Sequence, residues 1–203
     1  KRRAYVKFDD ILNNPLMGDW VPARLLDLRV GLVEPELIAF SDARRVPLTS
    51  HAMYNAGYKY PNGNGNPLDF DRQVAAELMG IAGDRVRYVV GVTHGTNDSA
   101  DNNREKDIYY RAAWKVLGGL PFSGSDELED SLPSTGNWID NSLTVGFFGY
   151  HGFSSIPDAT SPGSEYDLDF YRFGVDLRGN WDNLDVSFAL SWGEDENAAN
   201  DGM

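Results

Sequence analysis

The 203-residue chain contains no cysteine, which excludes disulfide staples, thiol catalysis, zinc–thiolate centres and covalent haem attachment through paired thiols. It has no apolar run of about 18 residues, so no membrane-spanning helix is encoded. A membrane-crossing strand needs only about 10 residues with every second one apolar, and a mean hydropathy of −0.43 leaves that route open. Cations are scarce: 18 Lys and Arg stand against 31 Asp and Glu, a net charge of −13, where a general nucleic-acid binder needs cations to displace phosphate counterions. The opening Lys1-Arg2-Arg3-Ala4-Tyr5-Val6 has neither Met nor an apolar signal region, as in a mature segment or a piece of a longer chain.

What is present is glycine, proline and aromatics: Gly 21, Pro 10, Phe 10, Tyr 10 and Trp 5, a mixture suited to many strands joined by turns and poorly suited to a helical bundle. Period-two alternation recurs over 3 to 9, 24 to 33, 72 to 81, 85 to 95, 107 to 116, 139 to 150, 171 to 178 and 184 to 192. In 85 to 95, for instance, Val86, Tyr88, Val90 and Val92 oppose Arg85, Arg87, Gly91 and Thr93. These segments predict eight strands. No interdomain linker interrupts residues 1–203, so they form one β-segment, and no fixed repeat period supports a solenoid or propeller.

Two hairpins keep an apolar face across their turns. A three-residue loop at Ala82-Gly83-Asp84 pairs Leu78 with Tyr88, Ala76 with Val90 and Val74 with Val92. An even loop at Gly179-Asn180-Trp181-Asp182 pairs Leu177 with Leu184, Val175 with Val186 and Phe173 with Phe188. Short links follow strands 1, 3 and 7, and longer ones follow strands 2, 4 and 6. The longest runs over 34–70, with Asn62-Gly63-Asn64-Gly65-Asn66 and one short extended piece near 52–58, while the link after strand 5 carries the acidic Asp126-Glu127-Leu128-Glu129-Asp130.

The polar face carries charge in mid-strand at Lys7, Asp27, Arg29, Glu77, Arg87, Arg111, Lys115, Arg172, Asp176 and Arg178. A water-filled lumen lined by these residues fits that pattern, and so does the solvent face of a soluble β-sandwich. Tyr171 and Trp192 fall near one end of the last hairpin and Tyr110 at the start of strand 5, where an aromatic girdle would meet a membrane interface. Like charges in a narrow lumen select ions by sign. Cross-wall pairs of Arg and carboxylate can instead neutralise one another and brace the wall.

Leu28-Arg29-Val30-Gly31-Leu32-Val33-Glu34-Pro35 followed by Arg44-Arg45, the run Lys106-Asp107-Ile108-Tyr109-Tyr110-Arg111-Ala112-Ala113-Trp114-Lys115, Gly146-Phe147-Phe148-Gly149-Tyr150 and Gly174-Val175-Asp176-Leu177 together resemble strands of Gram-negative outer-membrane porin-like barrels. The resemblance is to the group of phosphate-selective-type porins and porins of metal-reducing bacteria, some of which sheathe multihaem cytochromes, and it spans most of 22–192. It implies an antiparallel up-and-down transmembrane β-barrel in the bacterial outer membrane that passes small ions or solutes without catalysis. Outer-membrane lipid, a multihaem cytochrome or further copies of the chain are the partners it implies. The chain departs from the group in having Leu32-Val33 after Gly31 where an aromatic is common. It also has only five Lys, so a lysine ladder for phosphate does not carry over.

Catalytic and metal chemistry find little footing. His51, His94 and His151 lie far apart without a helical ligand motif. Ser154 and Ser155 lie near His151 in a segment that reads as loop. Asp98, Asp101, Glu105, Asp107 and the run Glu194-Asp195-Glu196 match no EF-hand spacing. The expectation is no catalytic residue, no metal and no cofactor. Periplasmic short turns would put Lys1 at the outer surface, so the eight strands are expected to be an open sheet from a larger barrel, not a closed small one. The competing reading of a different class is a soluble β-sandwich that binds carbohydrate through exposed Trp and Tyr.

Overall fold

The computed structural model describes residues 4–12, 23–33, 35–37, 73–94, 106–122, 124–125, 141–157, 165–182 and 184–195. It is all-β, with eight strands: β1 (Ala4–Phe8), β2 (Asp27–Val33), β3 (Gln73–Ala82), β4 (Val86–Thr93), β5 (Asp107–Gly118), β6 (Ser142–Pro157), β7 (Glu165–Trp181) and β8 (Leu184–Asp195). All pair antiparallel with their sequence neighbours in the order β1 to β8, one up-and-down sheet. The sheet is not closed, because β1 and β8 are its two edges.

Every strand expected from the alternation forms, and three details differ. The β3/β4 pairing sets Leu78 against Val90 and Ala76 against Val92, two residues along β4 from the expected partners. The cause is the turn: Gly83 and Asp84 both adopt positive φ (55° and 59°), and Arg85 N–H donates to the Ala82 carbonyl at 3.3 Å, so the reversal lies one residue later than expected. In the β7/β8 hairpin the strands run on until Trp181 pairs with Leu184, which sets Phe173 against Trp192 and Leu177 against Phe188. Both slips are even, so every side chain keeps its expected face.

The third difference is length. β6 continues to Pro157 and pairs with β7 as far as Glu165, so Ser154 and Ser155 belong to a strand and not a loop. Gly149 and His151 occupy apolar-face positions there, break the alternation and hide the extension. In β5 a bulge between Lys115 and Leu117 shifts the register against β6. The extended piece expected near 52–58, the acidic 126–130 insert, His51, Arg44, Arg45, Asp98, Asp101, Glu105 and Glu196 lie outside the described residues.

The two faces are inverted relative to a sheet folded in water. Val74, Leu78, Val90, Val92, Ile108, Tyr110, Trp114, Phe147, Phe173, Phe188 and Trp192 are exposed on one face. Asp27, Arg29, Glu77, Arg87, Asp107, Arg111, Arg172 and Asp176 are buried on the other. Glu77 is 0% exposed while its neighbour in sequence, Leu78, is 44% exposed. Among the described residues no helix is long and apolar enough to cross a membrane, which says nothing of strands.

Candidate functional site

The ten charged residues singled out from the sequence share one face. Register places Lys7, Arg29, Glu77 and Arg172 in one cross-strand row, with Gly91, Tyr109 and Tyr150 filling its remaining positions between them. Asp27 and Arg111 fall in the next row, Arg87 and Asp176 in the one after, and Lys115 and Arg178 in a fourth.

Many of these charges are engaged with one another, from β1 to β7. Arg29 Nε donates to Glu77 Oε2 directly across the β2/β3 pair. The Tyr109 hydroxyl donates to the other oxygen of Glu77 at 2.6 Å. Arg111 makes a bidentate contact with Asp176, its Nη2 to Oδ1 distance being 3.1 Å. Asp27 accepts from the Asp10 N–H at 2.7 Å and from Ser125, and Lys7 lies 3.4 Å away. Such pairs compensate the desolvation that burial imposes on each ion.

Glycines let these contacts span an intervening strand. Tyr109 on β5 reaches Glu77 on β3 by lying over Gly91 of β4, where an added Cβ would strike its ring. Asp176 on β7 reaches Arg111 on β5 over Gly146 of β6, where an added Cβ would strike its carboxylate. Close approach of a foreign side chain to the backbone is the one service that only glycine gives in these rows.

Two segments outside the strands also fold onto this side. Leu37 and Glu36 are 2% and 1% exposed, with Glu36 Oε1 3.4 Å from Arg87 Nε and the Leu37 carbonyl accepting from Arg111 Nη1 at 3.2 Å. Phe122 is held by its N–H on the Asp84 carbonyl (3.1 Å) and packs with Ile81 and Ala113. The Arg87 guanidinium and the Lys115 ammonium each lie 4.6 Å from its ring centroid. Neither segment was legible as part of the polar side, because nothing in local spacing says that a loop returns onto its own sheet.

The β7–β8 side differs. On β7 Arg172 and Asp176 are still buried while Arg178 and Asn180 are half-buried, and the β8 side chains described on the polar face are the small Ser187, Ala189, Ser191 and Gly193, half-buried or exposed. Arg172 lies over Gly193, donating to the Tyr171 and Glu194 carbonyls at 2.7 and 3.1 Å. The polar side is thus filled across β2–β5 and lined by small residues along 187–193 of β8.

On the apolar face, Phe173 and Trp192 stack at 5.6 Å, and they line with Tyr110, Phe147 and Val175 a shallow groove of about 230 Å³. Tyr171 and His151 stack at 4.4 Å one row further on, where His151 lies 3.6 Å from Asp169 and the apolar band ends. Ser154 and Ser155 follow His151 in β6, and no group of three or more metal-binding side chains occurs among the described residues. No family model, curated protein or solved structure matches the chain.

Proposed function

We propose that the chain is part of the wall of an outer-membrane porin-like β-barrel, with its apolar face in lipid and its polar face toward an aqueous passage for small ions or solutes. The observation that carries this reading is the inversion of the faces: Glu77, Arg29 and Asp176 are buried while Leu78, Val30 and Leu177 on the opposite side are exposed. In water such an apolar face is an aggregation surface; in a bilayer it is the solvated one. Among the described residues no second sheet covers it, as a soluble sandwich requires.

The height of the apolar band supports the same reading. On β7 the outward series Tyr171, Phe173, Val175, Leu177, Gly179, Trp181 covers about 33 Å of strand at roughly 3.3 Å per residue. With a strand tilt of about 40° it stands about 25 Å tall, the thickness of the apolar band of an outer-membrane barrel. Aromatics mark both ends, Tyr171 and Trp192 at one and Trp181 at the other.

The test is reconstitution. Lipid vesicles with brominated acyl chains should quench the fluorescence of Trp114 and Trp192, and planar bilayers containing the protein should show stepwise conductance. Protein that stays soluble and monodisperse without detergent, with tryptophans that bromine does not quench, rules the reading out.

A further inference from the structure

The apolar face is not uniform. Across β3 and β4 it is aliphatic, with Val74, Leu78, Val90 and Val92 exposed, whereas the groove on β5–β8 is walled by the exposed rings of Tyr110, Phe147, Phe173 and Trp192. The Tyr110 ring lies over Gly149 of β6, where an added Cβ would strike it, so no β6 side chain stands between Tyr110 and Phe173 in that row. Phe173 and Trp192, stacked across the β7/β8 pair, form the facing wall. The groove's seven lining residues are few beside the roughly 20–30 that each side of a stable protein interface contributes. A stretch of hydrocarbon chain fits its about 230 Å³ and its lining.

Charge begins directly beyond the groove, toward the long-loop end. Two residues on from Gly149 and Phe173, about 7 Å along the strands, His151 stacks on Tyr171, and Glu194 lies opposite Tyr171 on β8, exposed. Asp169 follows on β7, half-buried, its Oδ2 3.6 Å from His151 Nε2. On the other side Lys106, exposed, immediately precedes β5, two residues before the Ile108 that pairs with His151. Two carboxylates thus stand over the Phe173–Trp192 wall and an ammonium over the Tyr110 wall, a polarity that matches a zwitterionic head. We propose that this groove holds one lipid in a fixed pose: an acyl chain between the rings and a phosphoethanolamine head above them, its ammonium on Asp169 and Glu194 and its phosphate toward Lys106. The inference rests on the reading of the apolar face as lipid-facing.

Tryptophan quenching reads the pose. One protein keeps Trp192 alone, with Trp20→Phe, Trp114→Phe, Trp138→Phe and Trp181→Phe; its companion keeps Trp114 alone, exposed on the same face outside the groove. Both are reconstituted in phosphatidylcholine vesicles holding a minor fraction of one brominated lipid: phosphatidylethanolamine, phosphatidylcholine or phosphatidylglycerol. Brominated phosphatidylethanolamine should quench Trp192 as though enriched about threefold over its bulk fraction, the size an exposed ammonium–carboxylate pair gives. The other two lipids should quench Trp192, and all three should quench Trp114, in proportion to bulk. Asp169→Asn with Glu194→Gln should abolish the enrichment, as should Val175→Phe, which fills the groove, and the same changes in the Trp114 protein should leave its quenching unaltered, which a variant that fails to insert does not do.

Equal enrichment of the three lipids at Trp192 overturns the site. A phosphatidylethanolamine preference that survives Asp169→Asn with Glu194→Gln overturns the assignment of its head. Trp192 that no brominated lipid quenches, while Trp114 is quenched, means that protein covers the groove, a second copy of the chain included, and overturns the lipid as occupant. Quenching of neither tryptophan instead sinks the lipid-facing reading itself, and the site with it.

Discussion

The polar side of the sheet is two different environments on one continuous face. Across β2–β5 long charged side chains pair with one another and with Asp176 of β7, and the 35–37 segment and Phe122 cover them. Along β8 the side chains described on this face are Ser187, Ala189, Ser191 and Gly193, with the half-buried Arg178 of β7 opposite Ser187. Side-chain size decides the difference. Arg29, Glu77, Tyr109 and Arg111 are long enough to cross a strand where Gly91 or Gly146 gives them room, whereas Ser and Ala on β8 can fill nothing beyond their own strand. In the proposed barrel wall, such a face is filled on one side and leaves room for water on the other.

Removing one partner of a buried pair on the filled side has the largest expected effect. Glu77→Ala strands the Arg29 guanidinium and the Tyr109 hydroxyl, and should cost about 3–5 kcal/mol. Arg178→Ala on the open side, a half-exposed residue, should stay within about 1 kcal/mol. Urea unfolding of both variants in the same detergent, followed by tryptophan emission, measures the two. Equal losses would erase the distinction between the sides.

The next effect separates faces instead of sides. Val90→Lys puts a charge on the apolar face of β4 and should cost about 2–4 kcal/mol if that row lies near the bilayer midplane. Ser187→Lys puts the same charge on the low-walled polar strip and should leave insertion and stability almost unchanged. Comparable insertion yields for the two variants in lipid vesicles count against a lipid-facing role for the apolar face.

Much of this was legible in the residues, and the illegible part has a definite cause. Alternation alone assigns all ten mid-strand charged residues singled out from the sequence to their face, because a period of two is insensitive to even slips. Partners are another matter. In the expected β3/β4 register Glu77 faces Val89, and the crossing of Tyr109 over Gly91 is invisible. Only when Gly83 and Asp84 both turn left-handed does Gly91 arrive opposite Glu77. Likewise Arg172 faces Ala189 in the expected β7/β8 register and Gly193 in the observed one. Non-local closures such as Glu36 to Arg87 leave no trace in spacing at all.

The glycine crossings give a smaller and sharper test of the same point. Gly91→Val drives a side chain into the Tyr109 ring and should cost about 1–3 kcal/mol by overpacking, with the Tyr109 to Glu77 hydrogen bond lost. Gly179→Val on β7 meets nothing within 4 Å and replaces glycine by a good strand former, so it should be neutral or slightly stabilising. Thermal unfolding in detergent reads both; destabilisation by Gly179→Val that matches Gly91→Val would make the crossing irrelevant.

The smallest expected change in stability accompanies a readable change in function. Arg178 is half-buried, opposite Thr144 on β6 and Ser187 on β8, at the open side of the polar face. In the proposed passage a half-buried charge there meets water and passing ions more readily than the buried Arg29 and Arg111, which face Glu77 and Asp176. Arg178→Glu should therefore shift the reversal potential in a salt gradient toward cation preference, with stability changed by no more than about 0.5 kcal/mol. Arg178→Gln should give a shift of the same sign and smaller size. A reversal potential that neither substitution moves, in protein that inserts and conducts normally, would place the ion path away from β7 and β8, and the low wall of that strip would then serve only to accommodate a neighbouring strand's side chains.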